Sequence, residues 1–348
     1  FSMKFKLQED LIKSEIDHKD QQIKALDELI LQEENNFNEV IGKMALEQKE
    51  LEDKLIKANQ NKTKLKVNKM FILKIEGLLE GQIIKRPSKF IKSPYVADAI
   101  IRKKEFLAHT ASLGCCGLCE AGSNILFAPM KNKDDPTKCM YSAQLAVINE
   151  KNTEIIIGIH PKLAEELAEK CLTNNYLSIL KNVKAYRRET VIFVENKVDS
   201  RFDFSGVDEN GLPFIMEVKN VPLADYEDIS AKDRKNKCYD DLTYNEKIAY
   251  FPDGYRKKSA DTVSPRALKH IKELTLIKKE SKTRCIMCYV IQRTDVNRFQ
   301  PSVLDPQYRE AVKLAVEAGV EIITLVVQWT KQGEAYFVKD DLYMTPIL

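Results

Sequence analysis

Asp203, Glu217 and Lys219 are the residues of this chain whose types and spacing could do chemistry, and they lie together in SRFDFSGVDENGLPFIMEVKN. Two carboxylates and an ammonium group that converge at the end of a twisted sheet can hold a divalent metal ion and activate a water molecule. Glu217 and Lys219 are separated by one residue, so on a strand they point to one face. Asn210-Gly211 is a strong hairpin signal. A two-residue loop there would place Asp203 opposite Val218, on the wrong face. A three-residue loop, Glu209-Asn210-Gly211 with Gly211 left-handed, places Asp203 opposite Glu217. A β-bulge would also correct the register. One of these is expected, because a slip of one residue scatters the site. The bare pattern is also that of a cross-strand ion-pair network, so the surrounding segments decide between the two.

In the chemical reading, Asp203 and Glu217 ligate Mg²⁺, or Mn²⁺, with the carbonyl of Val218 and waters completing an oxygen shell. Lys219 orients or deprotonates the attacking water and stabilises the transition state. Such a site needs a sheet to carry it. Candidate strands fall near 190–195, 200–207, 212–221, 284–291 and 320–328. CIMCYVI and VEIITLVV are near-continuous apolar runs, as expected of central strands covered on both faces. Ser264-Pro265 and Pro306 open two helices, the second stopped by Gly319. Residues 225 to 249 are polar and strand-poor and read as a long loop or insertion.

The rest of the chain divides by composition. Its 348 residues suffice for about two domains plus an extension. Residues 1–68 are nearly free of Gly and Pro; Ile16, Ile23, Ile30, Phe37, Met44 and Leu51 recur with heptad spacing, with partial support from Ile12, Leu26 and Val40. This predicts a long coiled-coil helix that pairs with a second copy, another protein or a folded-back segment. Residues 69–150 show short β-like runs (LLEGQIIKRP, KFIKS, YVADAIIRKKEFLAHT, NILFAPM, YSAQLAVI), which suit a small OB-like barrel. Lys85, Arg86, Lys89, Lys92, Arg102, Lys103 and Lys104 give it a local basic surface able to attract phosphates. His109 is either a nucleic-acid contact on that barrel or a structural histidine. Residues 151–182 read as a linker helix opened by Pro161, and 183–348 as the mixed α/β domain that carries the site. The fold class is therefore α/β (α+β).

The net charge is only +3, so any basic surface must be local. There is no apolar run of about 20 residues to cross a membrane. Eight cysteines occur without an apolar leader, which predicts a reduced, intracellular protein. Cys115, Cys116 and Cys119 with Cys139 and His109 lack a second clean C-x-x-C, so zinc is not expected. Cys285 and Cys288 face opposite sides of a strand and read as buried apolar residues.

IIKRPSKF, AHTASLGCCGLCEAGS, SRFDFSG, EVKNVPL, YFPDGYRKK, LKHIKEL and DPQYREAVKLAVEAGVEI, in that order, resemble the sugar fermentation stimulation protein A (SfsA) family over residues 77 to 348. The resemblance implies an OB-like domain followed by a domain of the PD-(D/E)XK nuclease superfamily, with DNA as the usual ligand. It implies that Glu189 in RRETVIF assists the metal or water. It also implies that Asp253, Lys269 and His270 support the site or touch phosphate, and that Arg201, Arg256 and Lys257 join Lys85, Arg86, Lys89, Arg102 and His109 in nucleic-acid binding. The chain departs from the family in its N-terminal coil, its 225–249 insertion and the stretch His109–Gly114. Two readings follow: a Mg²⁺-dependent nuclease acting on DNA in preference to RNA, or a catalytically silent nucleic-acid-binding or scaffolding protein that assembles through its coil.

Overall fold

The computed structural model describes residues 13, 19–33, 35–37, 42–44, 48–49, 70–112, 117–131, 137–195, 197–234, 237–252 and 262–347. The chain divides into two compact units, Phe1–Lys62 and Thr63–Leu348. In the first, the described residues are helical, and Ile23, Leu26, Ile30, Phe37 and Met44 are all exposed. Ile12, Ile16, Val40 and Leu51 of the expected seam lie outside the described residues.

The second unit is built on a seven-stranded sheet. Its centre is β10 (Pro213–Val221), β13 (Arg284–Ile291) and β15 (Glu321–Trp329), mutually parallel in that order. β9 (Val198–Val207) and β8 (Ala185–Val194) extend it antiparallel on one side, and β16 (Glu334–Lys339) and β1 (Met70–Lys74) on the other. Both faces of the centre are covered. α1 (Pro161–Thr173) packs Leu163, Leu167 and Cys171 on one face, in the cluster that holds Cys288. α3 (Pro265–Glu280) and α4 (Pro306–Glu317) cover the other face, in the cluster that holds Cys285. All but the first residue of β13 are buried, which is why that segment reads as an unbroken apolar run. Both helix starts follow from their caps. Ser264 accepts from the Ala267 amide at 3.4 Å, and Asp305 from the Tyr308 amide at 3.1 Å. α1 is shorter than its apolar pattern suggests. It ends at Thr173, and Asn175 adopts a left-handed conformation that turns the chain away.

A second sheet comprises β2 (Leu79–Lys85), β3 (Val96–Ile101), β4 (Lys104–His109), β5 (Asn124–Pro129), β6 (Tyr141–Glu150) and β7 (Thr153–Gly158), in the order β4-β3-β2-β5-β6-β7. β4 also pairs in parallel with β6, so β2 to β6 return on themselves around Ile83, Ala99, Ile101, Ile125 and Phe127. Three expectations change here. YVADAIIRKKEFLAHT is a hairpin rather than one strand, folded back at Arg102-Lys103, both left-handed. KFIKS forms no strand. Domain boundaries at 69 and 150 do not match the sheets: residues 70–74 belong to the large sheet, and 153–158 to the small one. Short strands look alike in sequence; hydrogen bonds to distant partners assign them.

The 225–249 segment carries β11 (Ala224–Asp225), a short helix α2 (Ala231–Arg234) and the start of β12 (Lys247–Phe251), which pairs in parallel with β14 (Val296–Pro301). It is anchored to the β6–β7 hairpin. Lys151 Nζ donates to the carbonyls of Tyr239 at 2.6 Å and Asp240 at 3.2 Å. Lys247 is buried between Glu150 and Asp295. Among the described residues, no helix is long and apolar enough to cross a membrane.

Candidate metal centre

The β9–β10 hairpin sets the site. The Asp208 amide donates to the Leu212 carbonyl at 2.9 Å, leaving Glu209, Asn210 and Gly211 in the loop. Asp208 Oδ1 accepts from the amides of Asn210 and Leu212, each at 2.9 Å. Gly211 has φ +85°, a conformation that glycine adopts at no steric cost. The resulting register pairs Phe214 with Gly206 and Met216 with Phe204. Asp203 and Glu217 come next in that register, as the three-residue loop requires. There the backbone ladder stops. The Val218 amide donates instead to Asp203 Oδ2 at 2.7 Å. The strands part where the carboxylates meet.

Glu217 is almost fully buried, with 2% of its side chain exposed. Its Oε1 accepts from Lys219 Nζ and is hydrogen-bonded to His270 Nδ1 of α3. Its Oε2 is buried and has no hydrogen-bond partner among the described residues. Burial pushes the Glu217 carboxyl up, but the contacts with His270 and Lys219 more than offset this and hold it below the usual carboxylate range. Asp203 goes the other way. Burial, then the neighbouring charge of Glu217, raises it to about 7, although the Val218 amide opposes the shift.

These facts decide whether the residues suit a metal. A buried carboxylate oxygen without a partner is costly. A second carboxylate beside it resists ionising. One hard cation between them satisfies both, and all the available donors are oxygens, which suits Mg²⁺, Mn²⁺ or Ca²⁺. Among the described residues, no group of three or more His, Cys, Asp or Glu is placed to hold a metal ion, so Asp203 and Glu217 would leave most of an ion's shell to waters and other oxygens. The cavity holds about 330 Å³ and is lined by Asp203, Glu217, Val218, Lys219 and Asn220, by Pro161, Ala164 and Glu165 of α1, by Tyr250 and Phe251 of β12, and by Arg266 of α3.

Not every expected residue is there. Glu189 lies across from Asp203 in the β8–β9 register, yet its left-handed backbone (φ +51°) turns it to solvent, where it pairs with Arg201 at 3.2 Å. It does not line the cavity; Glu165, which the sequence reading missed, does. Glu165 is bridged to Arg188 at 3.1 Å. His270 is buried against Glu217 and is no surface phosphate contact. Arg86 is spent on structure: its guanidinium donates to the Pro94 carbonyl, Thr110 Oγ1 and the Ser112 carbonyl at 2.6–3.1 Å. His109 is half-buried, and burial lowers its pKa. Lys85 and Arg102 are exposed, and Lys89 bridges Glu105 at 2.8 Å. Lys269 is also exposed, but it reaches back to the Asp199 carbonyl and to Glu273. Cys115, Cys116, Asp253, Arg256 and Lys257 lie outside the described residues. Arg266 was missed as well. Its signal was its place one turn before His270 on α3, which puts both on one side of the helix.

The fold is thus a parallel-centred α/β sheet, helix-covered on both faces, with a buried carboxylate, a half-buried one and a lysine where two strands part. Residues 162–333 match the family model described as the sugar fermentation stimulation protein RE domain, SfsA. A sugar fermentation stimulation protein homolog from Crocosphaera subtropica is 29% identical over 280 residues, 79% of this chain and 99% of the relative. One from Jannaschia sp. is 29% identical over 259 residues, covering 74% and 90%. Among solved structures, SfsA of Pyrococcus furiosus in complex with Ca²⁺ superposes with a TM-score of 0.58 at 21% identity, over 80% of this chain and all of that one. That likeness establishes a shared fold.

Proposed function

We propose that the protein is a divalent-metal-dependent nuclease of the PD-(D/E)XK type that hydrolyses phosphodiester bonds, in DNA before RNA. The observation that carries the reading is the buried, partnerless Oε2 of Glu217 beside an Asp203 whose carboxyl is raised to about 7. An ion-pair network accounts for Glu217 Oε1, which Lys219 and His270 engage, and gives Oε2 no partner. The hard oxygen donor set agrees with the Ca²⁺ that the Pyrococcus furiosus relative is described with.

A bound Mg²⁺ or Mn²⁺ would acidify a water and offset charge on the phosphate. The chain supplies the rest. Asp203 and Glu217 would hold the ion, with the Val218 carbonyl as a further donor. His270 fixes the Glu217 carboxylate in one orientation. Lys219 Nζ, with 13% of its side chain exposed, lines the cavity and can donate to a phosphate oxygen as water attacks phosphorus and the P–O ester bond breaks. The β2–β6 ring, read as an OB-like barrel, would hold the strand. The N-terminal helix, with its exposed apolar seam, would pair two copies or recruit a partner.

A second reading, a silent nucleic-acid-binding protein, is favoured by one observation: Lys219 is already tied to Glu217. Purified protein incubated with single- and double-stranded DNA and RNA plus Mg²⁺ or Mn²⁺ separates the two. Cleavage that vanishes in Asp203→Ala and Glu217→Ala supports the nuclease. Cleavage that persists in both variants refutes it, and binding without cleavage supports the silent reading.

A further inference from the structure

We infer that Arg266 is the substrate-phosphate clamp of this cleft, an inference that rests on the nuclease reading and names a residue for it. Arg266 lines the same cavity as Asp203, Glu217 and Lys219. It stands in the first turn of α3, after Pro265, and the same helix sends His270 down to Glu217 one turn later. Residues separated by one turn share a helix face. The helix therefore presents a buried histidine to the metal-binding carboxylate and an exposed guanidinium to the mouth above it. Its N-terminal end adds a favourable field for an anion at the same place.

The charges of the cleft single this residue out. Glu165 is bridged to Arg188, and Glu217 to Lys219. Arg266 makes no hydrogen bond or ion pair with any described residue. Arg188 is itself shared with Glu169 at 2.8 Å, so it does not cancel Glu165 in full. Among the described residues that line the cleft, the unpaired cation is Arg266. A phosphodiester carries one negative charge, and its pentacoordinate transition state carries two. Arg266 would add a positive charge to that of the metal ion where this extra negative charge develops. Guanidinium is suited to the task, since its planar fork donates two hydrogen bonds to one phosphate while staying charged at any working pH.

The test is equilibrium binding of a fluorescein-labelled DNA oligonucleotide to the full chain in Ca²⁺ over a salt series. It compares wild type with Arg266→Ala, Arg266→Lys and, as a control, Lys272→Ala at an exposed position of the same helix. Arg266→Ala should weaken binding about tenfold, the loss of one charge-assisted contact. The slope of log affinity against log salt should become shallower by about one. Arg266→Lys should recover the slope but only part of the affinity, and Lys272→Ala should change neither. If wild type binds DNA and Arg266→Ala binds it equally well with the same salt slope, the clamp is refuted while the nuclease reading stands. If wild type binds no nucleic acid, that reading falls and takes the clamp with it. Melting temperatures of the variants identify any loss that comes from misfolding; Arg266→Gln, of similar length and neutral, then repeats the measurement.

Discussion

Replacing Asp203 by Asn should make the metal-free protein more stable and the metal-loaded protein less able to hold its ion. Folding raises this carboxyl from 3.8 to about 7, so in the folded state it binds its proton more tightly than in the unfolded chain. The folded state is therefore favoured at low pH and loses stability as the pH rises from about 4 to about 7. Above that range the loss is constant. At about 1.4 kcal/mol for each pH unit, it approaches 4 kcal/mol at pH 7.5 and about 2 kcal/mol at pH 5. Asparagine carries no charge, and its side-chain oxygen can still accept from the Val218 amide. Urea unfolding in chelator at pH 5 and pH 7.5 should thus show the variant ahead of wild type at both values, with the larger gap at the higher pH. Saturating Mg²⁺ should raise the midpoint of wild type and leave the variant nearly unmoved, because ion binding stabilises only the state that binds it. A variant no more stable than wild type in chelator, or a gap independent of pH, would refute the account of two neighbouring carboxylates in conflict.

Other outcomes follow from the same structure. Arg86→Ala should lower stability by about 2–3 kcal/mol, since it strips hydrogen-bond donors from Pro94, Thr110 and Ser112 in the β2–β6 ring; chemical denaturation checks this. Asp295→Asn should cost about 3–5 kcal/mol at pH 7, because Arg293 and Lys247 are buried against that carboxylate. Burial pushes the Asp295 carboxyl up, but Arg293 and Lys247 outweigh it and hold it below its ordinary value. Its contribution is therefore present above about pH 4 and fades as the pH falls through the lowered value, so the gap to wild type should close in acid. Glu189→Gln should leave metal-dependent cleavage within about twofold of wild type, whereas Glu165→Gln should reduce it at least tenfold, a difference of about 1.4 kcal/mol in barrier. Equal effects in a single-turnover assay would count against the cavity assignment.

Much of the site was legible because it depends on local rules. The spacing of Glu217 and Lys219 puts them on one strand face, and Gly211 after Asn210 demands a left-handed turn that brings Asp203 into line. Ser264, Asp305 and the prolines after them start α3 and α4 by chemistry that spans a few residues. The unbroken apolar run of β13 declares burial on both faces. Glu189 misled because its strand position was right while its backbone conformation, invisible in a residue string, turned it outward. Arg86 misled because a basic residue next to a loop looks free until the carbonyls it satisfies are placed around it.

Composition, periodicity and turn residues were therefore enough to specify the helical N-terminal region, the central strands covered on both faces and a hairpin at Asn210-Gly211, since each obeys a short-range rule; the loop length that aligns Asp203 with Glu217 was left between a three-residue loop and a bulge. Tertiary structure alone decided that Glu165 and Arg266 complete the cleft, that His270 holds Glu217, and that residues 70–74 pair beside the last strand of the large sheet. Those contacts join segments tens to hundreds of residues apart. Their energy comes from excluding water at a shared surface, and no local pattern encodes which distant surface that will be.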